Sequence, residues 1–441
     1  MGDKCIVMGA AGRDFHDFLT FLRARPQLEV VCFTAEQIPF IDARTFPASL
    51  AGPHYPNGIP IEPEHELPRL IREHAVDHVF LSYSDLAHED VMHKASIVQA
   101  AGASFALLGP KHTQLTSRLP VVSVTAARTG AGKSPLSQAI ARRLADRGVR
   151  AAVLRHPMPY GDLAKQAVQR FATPEDLDRH ECTIEEREEY EPYLELGLVV
   201  WAGVDYASIL AAAEQEAELI LWDGGNNDTS FVKADLSIVV LDALRPGHET
   251  RYYPGETNLR LADVLVLSKA GQASAEALAA LRATCAATNP RARVVEAELE
   301  VHATPSGAIR GRRALVVEDG PTITHGGMPS GAGLLAATRE GAAELVDPRP
   351  HAVGSIAAAY RDHPHIGPVL PALGYSAAQR AELEATIRHA APDVVVDASP
   401  ARLGRLISID APIVEVGYRF VQRSGADLFE EVDRVLGTSR A

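Results

Sequence analysis

Short hydrophobic runs alternate with amphipathic helical patterns along most of the chain. In the first 118 residues this pattern predicts strands at 4–8, 29–33, 78–82 and 104–108 and helices at 15–23 and 67–74. Alternating strands and helices favour a parallel sheet with helices on both faces. The stretch 47–63 contains five prolines and no sustained apolar period, which predicts a long loop.

The same alternation continues through the rest of the chain. It predicts strands at 121–125, 151–154, 198–201, 218–222, 236–241, 264–267 and 314–317 in a second segment that ends near residue 348. A third segment, 349–441, contains predicted strands at 394–396 and 413–416 and a helix at 377–390. The acidic run 185–191 predicts a solvated helix face. We therefore predict α/β segments at 1–118, 119–348 and 349–441.

A glycine-bearing loop, 127–134, lies between the predicted strand 121–125 and a predicted helix at 135–145. A strand, a loop ending in Gly-Lys-Ser and a helix form an arrangement whose backbone N–H groups bind nucleotide phosphates. The loop departs from the usual pattern at Ala127, which replaces the first glycine, while Pro135 lies in the first helical turn, where proline is tolerated. The predicted nucleotide-binding residues are Thr129, Gly130, Ala131, Gly132, Lys133 and Ser134, together with Lys269 downstream.

Within this loop, Lys133 is expected to contact the β- and γ-phosphates and Ser134 to hold Mg²⁺. Asp223 ends the apolar run 219–222 downstream and is the expected second partner of Mg²⁺. Asp228 follows as a ligand for a second metal or for a substrate group. Lys269 lies where a GTPase carries its guanine-reading lysine, but the flanking Asn and Asp are absent, which favours ATP.

Basic side chains follow other predicted strand ends, where ligands bind in parallel sheets. Arg155 and His156 follow the strand 151–154, and Arg170 lies on a helix predicted after them. Arg245 and His248 belong to a charged, aromatic loop after 236–241, which is typical of a binding segment.

Two glycine turns add further candidates. Arg13 and His16 follow a turn that lacks the full dinucleotide glycine triplet, so NAD is disfavoured and an anionic substrate group is an alternative to a purely structural turn. The glycine-rich segment 318–333 predicts an anion-binding nest that includes His325. The predicted substrate-binding residues are Arg13, His16, Arg155, His156, Arg170 and Arg245.

The composition is that of an ordinary soluble globular protein with a formal net charge of −14. This charge argues against general binding to nucleic acid or to a membrane surface, so an anionic substrate requires a locally basic pocket. We expect no signal peptide, and no apolar run approaches the ~20 residues of a membrane span. The four cysteines are far apart in sequence, which favours free thiols in the cytoplasm.

Taken together, segments spread over nearly the whole chain resemble the cyclic 2,3-diphosphoglycerate synthetase family. The matching segments are Gly-Arg-Asp-Phe-His at 12–16, Arg-Thr-Gly-Ala-Gly-Lys-Ser at 128–134, Arg-His-Pro-Met-Pro-Tyr-Gly-Asp at 155–162, Ala-Gly-Val-Asp-Tyr at 202–206, Arg-Pro-Gly-His-Glu at 245–249, Tyr-Pro-Gly-Glu at 253–256, Glu-Asp-Gly-Pro-Thr at 318–322 and Thr-His-Gly-Gly-Met-Pro at 324–329.

The resemblance implies an ATP- and Mg²⁺-dependent ligase that closes a phosphoanhydride within 2,3-diphosphoglycerate, or activates a related small anionic phosphorylated substrate, and that forms a homodimer. Because two anions must meet in such a reaction, arginines, histidines and Mg²⁺ have to offset their repulsion. We expect catalytic roles for Lys133, Asp223, Arg155, His156, Asp228, His248 and His325.

The predicted fold class is α/β: a P-loop NTPase domain with a parallel sheet (119–348), preceded by a Rossmann-like substrate-binding domain (1–118) and followed by a small α/β segment (349–441). Two other functions remain open, a small-molecule kinase that leaves a stable phosphorylated product, and a P-loop switch or metallochaperone. The last requires metal-carrying Cys/His clusters, which the sequence does not show.

Overall fold

The computed structural model describes residues 2–10, 12–36, 44–156, 161–225, 228–324, 329–373, 376–399 and 401–437. They group into two compact units, Met1–His180 with Pro192–Glu298 and Gln422–Ala441, and Glu181–Glu191 with Leu299–Val421. This division differs from the predicted boundaries at 118 and 348. Residues 1–118 share a unit with the phosphate-loop segment, and the strand predicted at 314–317 belongs to the second unit.

The first part of the first unit is an α/β layer built on a six-stranded sheet. Its strands are β1 (Asp3–Met8), β2 (Leu28–Ala35), β3 (Thr45–Phe46), β4 (Ile59–Pro63), β5 (His78–Leu81) and β7 (Ser104–Leu107), with β6 (Leu86–Ala87) outside the sheet. Its helices are α1 (Arg13–Asp17), α2 (Ala48–Ala51), α3 (Leu67–His74), α4 (His88–Ala101) and α5 (Pro110–Thr113). The order is β3-β4-β2-β1-β5-β7, parallel except for the edge pair β3–β4.

The prediction of a long loop at 47–63 is wrong, because this stretch contains α2 and β4. Strand β4 pairs in parallel with β2, with Phe33 opposite Ile61. Ile59 and Ile61 are buried on either side of the exposed Pro60, which is a period of two. A pattern this short was hidden by the surrounding prolines.

The second part of the first unit contains the strand that precedes the phosphate loop. Its strands are β8 (Val121–Ala126), β9 (Ala151–Arg155), β10 (Gln169–Phe171), β11 (Val199–Ala202), β12 (Leu219–Asp223), β13 (Leu236–Asp242), β14 (Tyr252–Tyr253), β15 (Val264–Ser268) and β16 (Arg293–Thr304). Its helices are α6 (Lys133–Asp146), α7 (Pro174–Arg179), α9 (Tyr206–Ala213), α10 (Gly255–Leu261) and α11 (Ala275–Thr288). Helix α8 (Ile184–Leu194) belongs to this unit only from Pro192 onward, and β16 only as far as Glu298.

These strands run in the order β10-β11-β9-β12-β8-β13-β15-β16, and all neighbours are parallel except β10 and β11. The mixed α/β fold with a parallel sheet is therefore confirmed. Strand β14 instead pairs with β6 in a two-stranded antiparallel ribbon. The helix predicted around Arg170 is wrong, since this residue lies in the edge strand β10.

The second unit is a smaller α/β layer. Its elements are β17 (Arg313–Asp319), α12 (Gly320–Ile323), α13 (Ala332–Glu340), β18 (Glu344–Leu345), α14 (Gly354–Asp362), β19 (Leu370–Ala372), α15 (Ala377–Ala390), β20 (Val394–Ala398) and β21 (Ile413–Gly425), and α16 (Leu428–Gly437) follows in the first unit. Strand β17 pairs in parallel with β18, β19 and β20, and β20 pairs in parallel with β21.

Helix α6 is held in place by its apolar face. Leu136, Ile140 and Leu144 are spaced four residues apart and fully buried. Burial of each such side chain contributes about 1.5–3 kcal/mol. The packing of this face fixes the start of the helix, and with it Lys133, beside the end of β8. Among the described residues, no helix is both long enough and apolar enough to cross a membrane.

Candidate functional site

The loop between β8 and α6 has the backbone conformation that its glycines predict. Gly130 has φ +78° and Gly132 has φ +106°, values that glycine adopts without strain. Helix α6 begins at Lys133, directly after Gly132. The N-terminus of a buried helix therefore follows the strand end, as the motif requires.

Lys133 and Asp223 meet because β12 is the direct neighbour of β8 in the sheet. Lys133 Nζ lies 2.5 Å from Asp223 Oδ1, and Ser137 Oγ donates to the same oxygen at 2.9 Å. Arg155 and the hydroxyl of Tyr193 donate to Oδ2. Burial opposes ionisation of Asp223, but Arg155 and Lys133 outweigh it and lower its pKa well below the usual range. The carboxylate is therefore ionised and enclosed by donors.

These surroundings decide how the predicted magnesium ligands fit an ion. Asp223 is fully buried, and both of its oxygens accept hydrogen bonds from protein groups. The described residues contain no group of three or more His, Cys, Asp or Glu side chains suited to a metal. Mg²⁺ keeps several waters and binds largely through substrate phosphates. These contacts leave neither oxygen of Asp223 free to bind Mg²⁺ directly, so an ion at this loop would be held mainly by nucleotide phosphates. The predicted metal contacts of Ser134 and Asp223 stay predictions.

A second polar cluster joins the layer formed by β1–β7 and α1–α5, which we call the N-terminal layer, to the loop after β12. Arg13 Nε lies 3.1 Å from Asp228 Oδ1, and Arg13 Nη2 donates to the carbonyl of Thr229 at 2.6 Å. Arg13 also pairs with Asp17 at 3.6 Å, and His156 Nε2 lies 3.4 Å from Asp228 Oδ2. Burial opposes the charge of Arg13, but Asp228 and Asp17 outweigh it and raise its pKa.

His16 lies inside the protein beside this cluster. Its ring stacks on Phe231 with centroids 3.9 Å apart, and Nε2 lies 2.7 Å from the carbonyl oxygen of Thr113. Burial, reinforced by Arg13, lowers the pKa of His16 to about 3. The ring is neutral at pH 7, and Nε2 carries its proton because a carbonyl only accepts. The predicted contacts of Arg13 and His16 with substrate stay predictions, since in the structure both bind protein groups.

Arg245 and Lys269 lie against the phosphate loop itself. Arg245 Nη2 donates to the carbonyl of Thr129 at 2.7 Å, and Lys269 Nζ donates to that of Gly130 at 2.8 Å. Asp242 accepts from both cations at 2.8 Å. We name Asp242, Arg245 and Lys269 the carbonyl clamp. Their position indicates that they hold the loop backbone, whereas contact with substrate or nucleotide base remains a prediction.

The other predicted residues are more dispersed. His248 packs 5.2 Å from the Tyr252 ring, and burial together with Arg245 lowers its pKa. Arg170 forms two hydrogen bonds with Glu216, at 2.7 and 2.8 Å, so its described ion-pair partner belongs to neither cluster. His325 lies outside the described residues.

Two other glycine turns hold a carboxylate of the protein. In the turn between β1 and α1, Asp14 accepts from the backbone N–H of Gly12 at 3.0 Å and of Phe15 at 2.7 Å. In the segment predicted as an anion-binding nest, Glu318 accepts from N–H groups at the start of α13, those of Gly331, Gly333 and Leu334, at 2.9–3.2 Å. In both turns a carboxylate of the protein itself therefore accepts from the N–H groups that the sequence pattern predicted for a bound anion.

Sequence reasoning missed several residues of the site. Tyr193 lies in α8 just beyond the acidic run 185–191, which was predicted to be a solvated face; it is only 1 % exposed and its hydroxyl reaches Asp223. The spacing of Tyr190 and Tyr193, three residues apart, was a signal of a buried face. Asp85 contacts Thr129 across 44 residues, a separation that no local pattern reveals.

Comparison with known proteins gives a relative that matches over almost the full length. The chain is 53 % identical over 429 residues to the arginine synthetase ArcE of Thermococcus kodakarensis, covering 97 % of this chain and 96 % of the relative. It is 32 % identical over 259 residues to a tetraacyldisaccharide 4'-kinase of Anaeromyxobacter dehalogenans, covering 55 % of this chain and 63 % of the kinase.

Family models and solved structures give no match as strong as this. No protein-family model matches the chain. Among solved structures, the apo form of LpxK from Aquifex aeolicus in complex with ATP superposes with a TM-score of 0.45 and 14 % identity, covering 74 % of this chain and 90 % of LpxK. The near full-length match with more than half of the residues identical shows that the chain belongs to the family of the arginine synthetase ArcE.

Proposed function

We propose that the protein is an ATP- and Mg²⁺-dependent ligase that forms the guanidinium group of arginine. The observation that carries this proposal is the contact of Lys133 with Asp223 at the start of α6, directly after the Gly-bearing loop. This is the arrangement expected of a site that binds and transfers a nucleotide phosphoryl group. The product is taken from the name of the relative, an arginine synthetase.

The chemistry of arginine limits what such a ligase can do. Its guanidinium carbon bears three nitrogens, so an ATP-dependent route replaces an oxygen on that carbon with nitrogen. The γ-phosphoryl group passes from ATP to the oxygen of a ureido side chain, which releases ADP. Ammonia then attacks the carbon, and the C–O bond breaks with phosphate as the leaving group. The products are arginine, ADP and phosphate.

The pairing of Arg13 favours a substrate of low net charge over a polyanion. Arg13 is paired with Asp17 and Asp228, so it brings no surplus positive charge for a further phosphate. Asp223 is shared by Arg155 and Lys133, which leaves one positive charge there for the phosphates of ATP. A ureido amino acid is a zwitterion with an uncharged side chain, whereas 2,3-diphosphoglycerate carries two phosphates and a carboxylate. The resemblance to cyclic 2,3-diphosphoglycerate synthetases keeps this second substrate as the alternative.

Each residue has a defined task in this proposal. Lys133 binds the phosphates, and Asp223 holds the Lys133 ammonium at the loop. Mg²⁺, with Ser134 as a ligand, neutralises phosphate charge when it is bound. The carbonyl clamp fixes the loop so that its N–H groups keep one orientation. Positioning of this kind contributes much of the acceleration of phosphoryl transfer.

The test is a product assay with labelled ammonia. The purified protein is incubated with ATP, Mg²⁺, ¹⁵N-ammonium and a ureido amino acid, and arginine is measured by mass spectrometry together with ADP and phosphate. A parallel reaction contains 2,3-diphosphoglycerate and is followed by ³¹P NMR. The Lys133→Ala variant serves as the control for contaminating enzymes.

Each outcome decides between the candidate functions. ¹⁵N-arginine formed in equal amounts with ADP supports the proposal. A cyclic phosphoanhydride signal supports the alternative ligase, and a stable phosphorylated substrate indicates a kinase. ATP that remains intact in every mixture contradicts all three.

A further inference from the structure

Asp85, in the N-terminal layer of the first unit, contacts the phosphate loop directly. Its Oδ2 accepts from Thr129 Oγ1 at 2.5 Å and pairs with Arg128 Nη1 at 2.5 Å. Arg128 and Thr129 are consecutive residues of the loop between β8 and α6. One carboxylate from outside the nucleotide-binding sheet therefore binds two neighbouring loop side chains.

The backbone of Asp85 is also unusual. Its φ is +60°, in the left-handed region that residues other than glycine rarely adopt. Backbone strain of this kind persists where surrounding contacts impose it, and it is common at functional sites. The conformation therefore supports a role for Asp85 beyond that of a surface turn.

The ribbon that follows Asp85 holds Arg128 from a second side. Strand β6 pairs with β14, with Ala87 opposite Tyr252. The Arg128 guanidinium lies 4.0 Å from the centroid of the Tyr252 ring, a cation–π contact. Asp85 and Tyr252 thus restrain the same loop arginine, one by charge and one by its aromatic face.

The carbonyl clamp restrains the other side of the loop. Arg245 and Lys269 bind the loop carbonyls, whereas Asp85 binds the side chains of Arg128 and Thr129. The clamp belongs to the sheet that contains β8, but Asp85 follows β5 of the N-terminal sheet. The loop is therefore fixed in part by a layer that does not itself contain the nucleotide-binding motif.

We infer that Asp85 is a positioning residue that sets the conformation of the phosphate loop from the N-terminal layer, through Thr129 and Arg128. This inference rests on the proposed binding of ATP at that loop. It assigns to the N-terminal layer a part in nucleotide affinity in addition to its predicted part in substrate binding. Loss of the Asp85 charge leaves the loop free to take other conformations, so ATP binds less tightly.

The variant that tests this inference is Asp85→Asn in the full chain. Asparagine has the same shape and tolerates a positive φ, so the substitution removes the charge and keeps the turn. We expect the KM for ATP to rise about tenfold, since a hydrogen-bonded charge pair is lost, while kcat changes less. We also expect faster hydrogen–deuterium exchange of the amides at 127–133. The control is Asp90→Asn, an exposed aspartate five residues further along the same layer.

The two measurements separate this inference from the proposed function. Amide exchange at 127–133 does not depend on the reaction, so it tests Asp85 even if the protein makes no arginine. Exchange and KM equal to those of the wild type in Asp85→Asn overturn the inference. If this variant fails to fold, Asp85→Gly provides the same test, because glycine adopts a positive φ freely and lacks the carboxylate.

Discussion

Two strand-to-helix turns of the first unit contain similar glycines but differ in the charged residue that follows them. The turn after β1 contains Gly9 and Gly12, and the turn after β8 contains Gly130 and Gly132, all at positive φ. Both turns follow a buried strand and lead directly into a helix. The difference is the residue near the start of that helix, Asp14 in α1 and Lys133 in α6.

This difference shows that glycines alone do not make an anion site. The Asp14 carboxylate accepts from N–H groups at the start of α1, which leaves a ligand anion without those donors. The ammonium of Lys133 carries only donors, so it cannot accept from the N–H groups of α6 and instead adds positive charge beside them. The first turn is thereby structural, and the second is suited to a phosphate.

The largest expected effect is that of Lys133→Ala, which removes the cation that distinguishes the second turn. We expect ATP turnover to fall by about 10²–10³-fold, the usual cost of one lost transition-state contact. The measurement is the rate of ADP release, with circular dichroism to confirm the fold.

Lys165→Ala is the matched control, because Lys165 is an exposed lysine of the same unit. A folded Lys133→Ala variant that releases ADP at the wild-type rate would contradict the assignment of this turn as the nucleotide site.

An intermediate effect is expected for Asp14→Ala, which removes the internal anion from the first turn. The N–H groups of Gly12 and Phe15 lose their acceptor in a buried place. We expect the free energy of unfolding to fall by about 2 kcal/mol. The measurement is urea denaturation followed by tryptophan fluorescence.

Asp14→Asn should retain most of this stability, since asparagine also caps helices. Asp146→Ala, at the exposed C-terminal end of α6, is the control and should cost nothing, because a negative charge there is unfavourable. If Asp14→Ala and Asp146→Ala have the same stability, Asp14 does not stabilise the first turn.

The smallest effect is a pH dependence of stability in the first turn. Burial lowers the pKa of His16 to about 3, below its value of 6.5 in the unfolded chain. The contribution of neutral His16 to the free energy of unfolding therefore falls as the pH drops from 6.5. Burial, opposed by Arg13, raises the pKa of Asp17 to about 7, above its value of 3.8 in the unfolded chain. The contribution of Asp17 to the free energy of unfolding therefore rises as the pH drops from 7. The two slopes largely cancel in the wild type.

Single variants should separate the two slopes. We expect the His16→Asn variant, in which only Asp17 titrates, to become more stable as the pH is lowered from 7.5 to 5. The Asp17→Asn variant, in which only His16 titrates, should become less stable over the same range. The measurement is the urea midpoint of each variant at both pH values, compared with the wild type. Parallel profiles for the two variants would show that these residues do not titrate as the buried pair described above.

Much of the fold was predictable from local patterns. The helices α3 and α15 match their predicted bounds, and the predicted strands lie within one or two residues of the observed limits at most ends. Strand β4 was missed because its buried pattern comprises only Ile59 and Ile61 among prolines. The burial of Tyr193 was missed because the acidic residues around it dominate the sequence pattern.

The sequence by itself determined the parallel α/β fold and the phosphate loop, because hydrophobic period and glycine spacing are local properties. It also placed Lys133 in the loop after one strand and Asp223 at the end of another. Only the tertiary structure decided the partners of each charge: Asp228 for Arg13, and Asp85 for Arg128. These pairs join residues from separate layers of the first unit. Sheet order and packing, rather than any spacing along the chain, bring such residues within a few ångströms of each other.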